Sequence, residues 1–281
     1  MKKILFPTDF SDNSLHAAKY AVLLAERFNA DIIFLNVYAV PVFTEYQVPY
    51  NLDNLEQMSL ENASNKLSDF VDKLISATKF AKDKATSMVE FGDTTDNILG
   101  VAAKNKVDMI VMGTKGTSNV LERWLGTNAQ KIVETANIPV WVVPSKVKLI
   151  HPTSILYAAD FKEDEVEATR KMLKFVTPLA VTCKVVHIHE YYQPNVGHIV
   201  QHTTEKLKEE FQFNDITFKS LNRYDVVKGL ETYIKTSKPD VLAMATYEKS
   251  FFERFFITSI SDHFIQQADL PMLTFRKGAS V

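Results

Sequence analysis

The stretch ILFPTDFSDN (4–13) returns as ILYAADFKED (155–164), and that return decides the fold. Asp9 falls opposite Asp160, an offset of 151 residues. Farther on, VDMIVMGTKG (107–116) returns as PDVLAMATYE (239–248), with Asp108 opposite Asp240. ETANIPVWVV (134–143) returns as QQADLPMLTF (266–275), with Pro139 opposite Pro271. These later pairs share an offset of 132, so the first copy carries 19 extra residues after its second strand. The excess is expected within Tyr38–Ser59, which holds Pro41 and Pro49. A single repeat of this length means two similar domains, which 281 residues also accommodate. The expected bounds are 1–146 and 152–281, joined near Pro144–Pro152.

Each copy alternates strand and helix. In the first, Lys3–Phe6 reads as a strand and Ser11–Phe28 as a helix with Leu15, Ala18, Val22, Ala25 and Phe28 at helical spacing. Ser11 or Asp12 is positioned to cap it. Strands at 31–37, 85–91, 107–112 and 139–143 follow, with helices from Leu60 to Leu74 and over 95–105 and 127–136. In the second copy the expected strands lie near 154–158, 182–188, 216–219, 240–245 and 271–275. Its helices are expected near 163–177, 198–212, 225–237 and 259–269. Strand runs apolar on both faces imply a parallel sheet covered by helices on each side. The fold class is α/β: two tandem open-sheet domains, each a five-stranded parallel sheet, Rossmann-like in architecture.

Composition narrows the function. Lys and Arg total 32 and Asp and Glu 34, a net charge of −2, which argues against a nucleic-acid binder. A single cysteine, Cys183, rules out an intrachain disulfide framework. Pro7 and Asp9 interrupt the first apolar run before a signal-peptide core forms, and no apolar stretch approaches 18 residues. A soluble cytoplasmic protein with no membrane span is expected.

Only eight glycines occur, and three of them fall between 113 and 126. Ligands of open parallel sheets sit at the carboxyl ends of the strands, where strand order reverses. Asp9 follows the first strand, Val37 ends the second, and Met112-Gly113-Thr114-Lys115-Gly116 follows the fourth. Gly126 and Thr127 then open a helix. A glycine loop leading to a helix N-terminus offers amide N–H groups and a positive dipole end, which suit phosphates. Thr127 adds a hydroxyl, and Asp9 suits ribose hydroxyls or a magnesium ion. GxGxxG is absent, which weakens a dinucleotide reading, and GxxxxGK[ST] is absent, so the chain is not a P-loop NTPase.

With Gly113-x2-Gly116-x9-Gly126-Thr127 the chain resembles the universal stress protein family, as a tandem pair covering nearly its whole length. The spacing meets that family's ATP-binding signature in full. The resemblance implies a site for ATP, or for AMP or ADP, with Mg2+ beside the phosphates. Asp9, with Thr8 beside it, would contact ribose or metal; Val37 and Met112 would line the adenine pocket. Gly113, Gly116, Gly126 and Thr127 would hold the phosphates. Asn128 stands where a small apolar residue is usual, with its backbone N–H still available. The resemblance further implies a stress-response regulator that acts by binding a protein partner. No catalytic residue is assigned; slow ATP hydrolysis or autophosphorylation and a structural protein without nucleotide stay open as alternatives. The last strands are expected to pair antiparallel, making an intramolecular pseudo-dimer, with a homodimer left open.

The second copy has Ala245, Glu248 and Thr258 in place of the glycines, so nucleotide is expected in the first copy alone. SFFERFFITS (250–259) reads as cover for core or interdomain surface, or as a partner surface. His187 and His189 share a strand face, and His198 and His202 stand four apart, a spacing compatible with zinc or with ordinary structural roles. Cys183 reads as core. The insertion, with Phe43, Tyr46 and Tyr50, is expected to be an extended flap beside the ligand.

Overall fold

A computed structural model describes residues 2–39, 52–114, 126–159, 165–189, 216–223, 225–246 and 270–276, with 201, 202, 204–206 and 209. The first half runs β1 (Lys3–Pro7), α1 (Asp12–Phe28), β2 (Asp31–Tyr38), α2 (Leu52–Thr78), β3 (Ala85–Phe91), α3 (Thr94–Lys104), β4 (Met109–Gly113), α4 (Thr127–Thr135) and β5 (Val140–Val143). The second runs β6 (Ser154–Ala159), α5 (Glu165–Val176), β7 (Thr182–His189), β8 (Ile216–Asn222), α6 (Val226–Ser237), β9 (Val241–Thr246) and β10 (Met272–Arg276). The ten strands of the described residues form one sheet, ordered β3-β2-β1-β4-β5-β10-β9-β6-β7-β8. Each half is parallel within itself; at the centre β5 and β10 pair antiparallel, with Trp141 opposite Leu273. The second half therefore repeats the order of the first, and the pseudo-dimer pairing expected from the sequence is present.

Local chemistry sets these elements. Ser11, extended, accepts the Ser14 N–H and starts α1; Asn29, left-handed at φ 51°, ends it by donating to the Ala25 and Glu26 carbonyls. Strand alternation divides the core. Ile4 and Phe6 face the layer of α1 and α2, whereas Leu5 and Leu35 face the layer holding Ile98 of α3 and Ile132 of α4. The aspartate that precedes the fourth strand of each half ties down the start of the first strand. Asp108 Oδ2 accepts from the N–H groups of Lys2 and Lys3 at 2.6 and 2.9 Å. Asp240 Oδ2 accepts from the N–H and hydroxyl groups of Thr153 and Ser154 at 2.8–3.1 Å.

The halves are joined beyond the shared sheet. Phe175 of α5 lies between Phe28 and Phe275, with ring centroids 5.7 and 5.3 Å away. Arg27 donates through Nε and Nη2 to the Leu179 carbonyl. Arg276 Nη1 donates to the Thr135 carbonyl and to Asn137 Oδ1, where α4 ends.

One expectation is corrected. The end of the insertion, from Leu52 to Ser59, is not extended but forms the first turns of α2. The helix begins well before Leu60 because this stretch, rich in Leu, Glu, Gln and Met, favours helix. Residues 40–51, with Phe43, Tyr46 and Tyr50, lie outside the described residues. No described helix is long and apolar enough to cross a membrane.

Candidate functional site

Strand order reverses between β1 and β4: the chain leaves β1 for β2 on one side, while β4 lies on the other. A cleft at the carboxyl ends of strands is expected there. The cleft is present, with a volume of about 320 Å³. Of the residues singled out by sequence, it gathers Thr8, Asp9, Val37, Met112, Gly113, Gly126, Thr127 and Asn128. Gly116 lies outside the described residues.

The floor is built by hydrogen bonds around Thr8. Its N–H donates to the Leu35 carbonyl at 2.8 Å, and its carbonyl accepts from Asn36 Nδ2 at 2.8 Å. Its hydroxyl oxygen accepts from the Ser14 hydroxyl at 2.8 Å and from the Phe10 N–H at 3.0 Å. Phe10 is held at φ 66°, a left-handed conformation rare for an aromatic residue. The chain thus turns sharply after β1 and presents Asp9, exposed, at the cleft. Asp9 Oδ1 accepts from the N–H and the hydroxyl of Ser11 at 3.1 and 2.7 Å. Asp9 is the one charged residue among the described residues lining the cleft.

Opposite stands the N-terminus of α4. Gly126 is its N-cap, extended at φ −65° and ψ 157°, and no side chain of the described residues caps the helix. By contrast, α1, α3 and α6 are capped by the side chains of Ser11, Asp93 and Asp225. Gly126's own N–H is engaged by the Thr114 carbonyl at 2.6 Å, closing the loop that leaves β4. The first helical bond is made by Gln130 N–H to the Gly126 carbonyl. The amides of Thr127, Asn128 and Ala129 are therefore the donors that the helix geometry leaves without intrahelical acceptors.

Sequence reading missed Asn36, Ser14, Thr94 and Thr114, all of which line the cleft. Only the repeat could have exposed Asn36. His187, 151 residues on, donates from Nδ1 to the Ala159 carbonyl at 2.9 Å, and Ala159 is the counterpart of Thr8. One hydrogen bond is made by two different residues, which marks it as part of the scaffold.

The other candidates resolve less richly. No group of three His, Cys, Asp or Glu side chains placed to hold a metal occurs among the described residues. His187 is buried in the hydrogen bond just given, and His198 lies outside the description together with Asp160, Glu248, Thr258 and the 250–259 aromatics. Cys183 is buried, and burial pushes its thiol up to about 12, as a core residue requires.

Comparison with known proteins adds a consistent finding. The universal stress protein family model matches residues 1–144. A universal stress protein of Methanocaldococcus jannaschii is 33% identical over 147 residues, covering 52% of this chain and 84% of the relative. One from Synechocystis is 24% identical over 297 residues, covering 98% of this chain and 100% of the relative. The crystal structure of a universal stress protein from Archaeoglobus fulgidus matches with a TM-score of 0.72 over 98% of this chain and 96% of that one. At 18% identity, that likeness is one of fold.

Proposed function

We propose, for a chain that belongs to the universal stress protein family, that residues 1–146 form an adenine-nucleotide-binding domain and residues 152–281 a degenerate second copy. The observation that carries this reading is the convergence of an uncapped helix N-terminus and the ends of β1 and β4 on one cleft. In this reading the α4 amides of Thr127 and Asn128, with the Thr127 hydroxyl, take phosphate oxygens. Gly113, Gly116 and Gly126 admit the phosphate chain closely. Val37 and Met112, together with Ile98, supply the apolar walls for the base. Asp9, with Thr8 beneath it, accepts ribose hydroxyls. Mg2+ fits as well, since that ion takes one or two carboxylates together with phosphate oxygens and water. ATP suits the full signature; ADP and AMP use the same pocket with fewer phosphate contacts.

The reading is one of binding and signalling rather than turnover. Among the described residues lining the cleft Asp9 is the one carboxylate, and Ser11 donates to its Oδ1. The nucleotide-loaded protein acts in the cytoplasm on a protein partner, with the second domain as a built-in dimer mate. Mass spectrometry of small molecules released from denatured, freshly purified protein tests this, followed by calorimetric titration with ATP. An adenine nucleotide at one per chain is expected. Neither retained nucleotide nor saturable binding of ATP, ADP or AMP would overturn it.

A further inference from the structure

A second cavity, of about 300 Å³, lies where the two halves meet, away from the β1–β4 cleft. Its walls come from α1, from the connection between β5 and β6, and from the segments that precede β9 and β10. That volume is about twice the 150 Å³ of an engineered cavity that holds benzene, so there is room for a small organic molecule. The walls are fixed. Val147 is buried, and its carbonyl is held by His16 Nε2 at 2.8 Å.

The cavity is lined by charges of both signs. The negative charge is Asp240, partly buried. Its Oδ2 accepts the four hydrogen bonds from Thr153 and Ser154. Desolvation works against its charged form and pushes its pKa up, yet those hydrogen bonds outweigh it and hold the carboxyl below its usual range, so it is charged at neutral pH. No Lys, Arg or His among the described residues forms an ion pair with it. Beside it stands Tyr20, 2% exposed, kept as a neutral hydroxyl by burial and then by the charge of Asp240. At the mouth stand Lys146 and Lys148, both exposed. The rest of the described lining is apolar: Val147, Ile150, Leu270, Pro239 and Pro271.

We propose that this cavity binds a free α-amino acid with an aliphatic side chain, ammonium toward Asp240 and Tyr20, carboxylate toward Lys146 and Lys148. A cation alone would satisfy Asp240 but meet two lysines; an anion alone would satisfy the lysines but face Asp240. A zwitterion of a few ångströms satisfies both, and its side chain covers the apolar wall. Half-exposed Ile150 at the mouth completes that wall once an aliphatic group sits against it. The site does not depend on the nucleotide reading.

Calorimetric titration of the full chain with L-leucine tests the assignment, with isopentylamine and 4-methylpentanoate as the matching single-charge compounds. L-leucine is expected to saturate one site per chain, with each single-charge compound weaker by about tenfold or more. Asp240→Asn and the double variant Lys146→Ala/Lys148→Ala should each weaken L-leucine by about tenfold or more. Asp108→Asn removes the equivalent strand clamp of the first half without touching the cavity, and should bind as wild type. No saturable L-leucine binding, equal binding of the three compounds, or wild-type affinity in a folded lysine double variant would each overturn the proposal. A loss in Asp108→Asn as large as that in Asp240→Asn would do so too, because it would assign the effect to the clamp.

Discussion

The first and second halves of this chain keep the same skeleton and differ at the loop after the fourth strand. Asp108 and Asp240 clamp the same place in each sheet. Asn36 and His187 hold the same carbonyl by different chemistry. Past β4 and β9 the likeness fails: Gly113 is followed by Gly116 and Gly126, whereas Ala245 is followed by Glu248 and Thr258. The residues that make the fold and those that would hold phosphate are thus separate sets. One set is common to both halves and the other is present in the first alone.

The largest effect expected from breaking this comparison lies in the loop. Gly116→Glu imports the second half's carboxylate and should cost several charge-assisted phosphate contacts of about 1.5–3 kcal/mol each. ATP affinity should fall by about a hundredfold or more, as read by calorimetry. Glu248→Gly should create no second site, because two other glycines are still missing. A stoichiometry near two in wild type would refute the division of labour.

Next comes the junction. Phe275, buried on β10 in contact with Phe175, which in turn meets Phe28 of the first half, should cost about 3–5 kcal/mol when changed to Ala. Urea unfolding followed by tryptophan fluorescence and circular dichroism should show a single transition in wild type. Two well-separated transitions in the variant would show that the halves can melt apart.

A smaller effect attaches to the clamp. Asp240→Asn should cost about 1–2 kcal/mol at neutral pH, the low end for a charged hydrogen-bonded group because this one is partly solvated. The sign follows from the lowered folded pKa. The charged clamp is fully stabilising above the unfolded carboxylate value near 4, and is lost as pH falls through that value and the lower folded one. The wild-type advantage over Asp240→Asn should therefore shrink on acidification below about pH 4. An advantage that grows there would contradict the assignment.

The smallest expected effect sharpens the equivalence of Asn36 and His187. His187→Asn should retain the bond to the Ala159 carbonyl, while His187→Ala leaves that buried acceptor bare. The alanine variant should be the less stable of the two by about 1 kcal/mol. Equal stabilities would mean that the shared bond contributes nothing.

Much of this was legible in the sequence, for physical reasons that differ by element. The doubled ILFPTDF and ILYAADF stretches exposed the repeat, because a strand buried on both faces leaves an unbroken apolar run. The cleft residues at the ends of β1, β2 and β4 were legible because glycines and a lone aspartate stand out against such runs. Asn36 was not, since a polar residue inside a strand gives no sign of whether it faces a ligand or a carbonyl. The early start of α2 was hidden by the prolines upstream, which drew the boundary too late. The cavity between the halves was beyond reach, because Tyr20, Lys146 and Asp240 belong to segments that meet only once the sheet has closed.

The antiparallel β5–β10 pairing has a consequence in time. β5 is complete when Val143 is added, but its partner begins at Met272. At synthesis rates of 5–20 residues per second, the roughly 130 intervening residues take about 6–26 s. For that interval the nascent first half holds a finished strand, Val-Trp-Val-Val, with one side of its backbone unmatched. The speed of translation therefore sets how long each new chain is open to a neighbour on the same message before its own last described strand arrives.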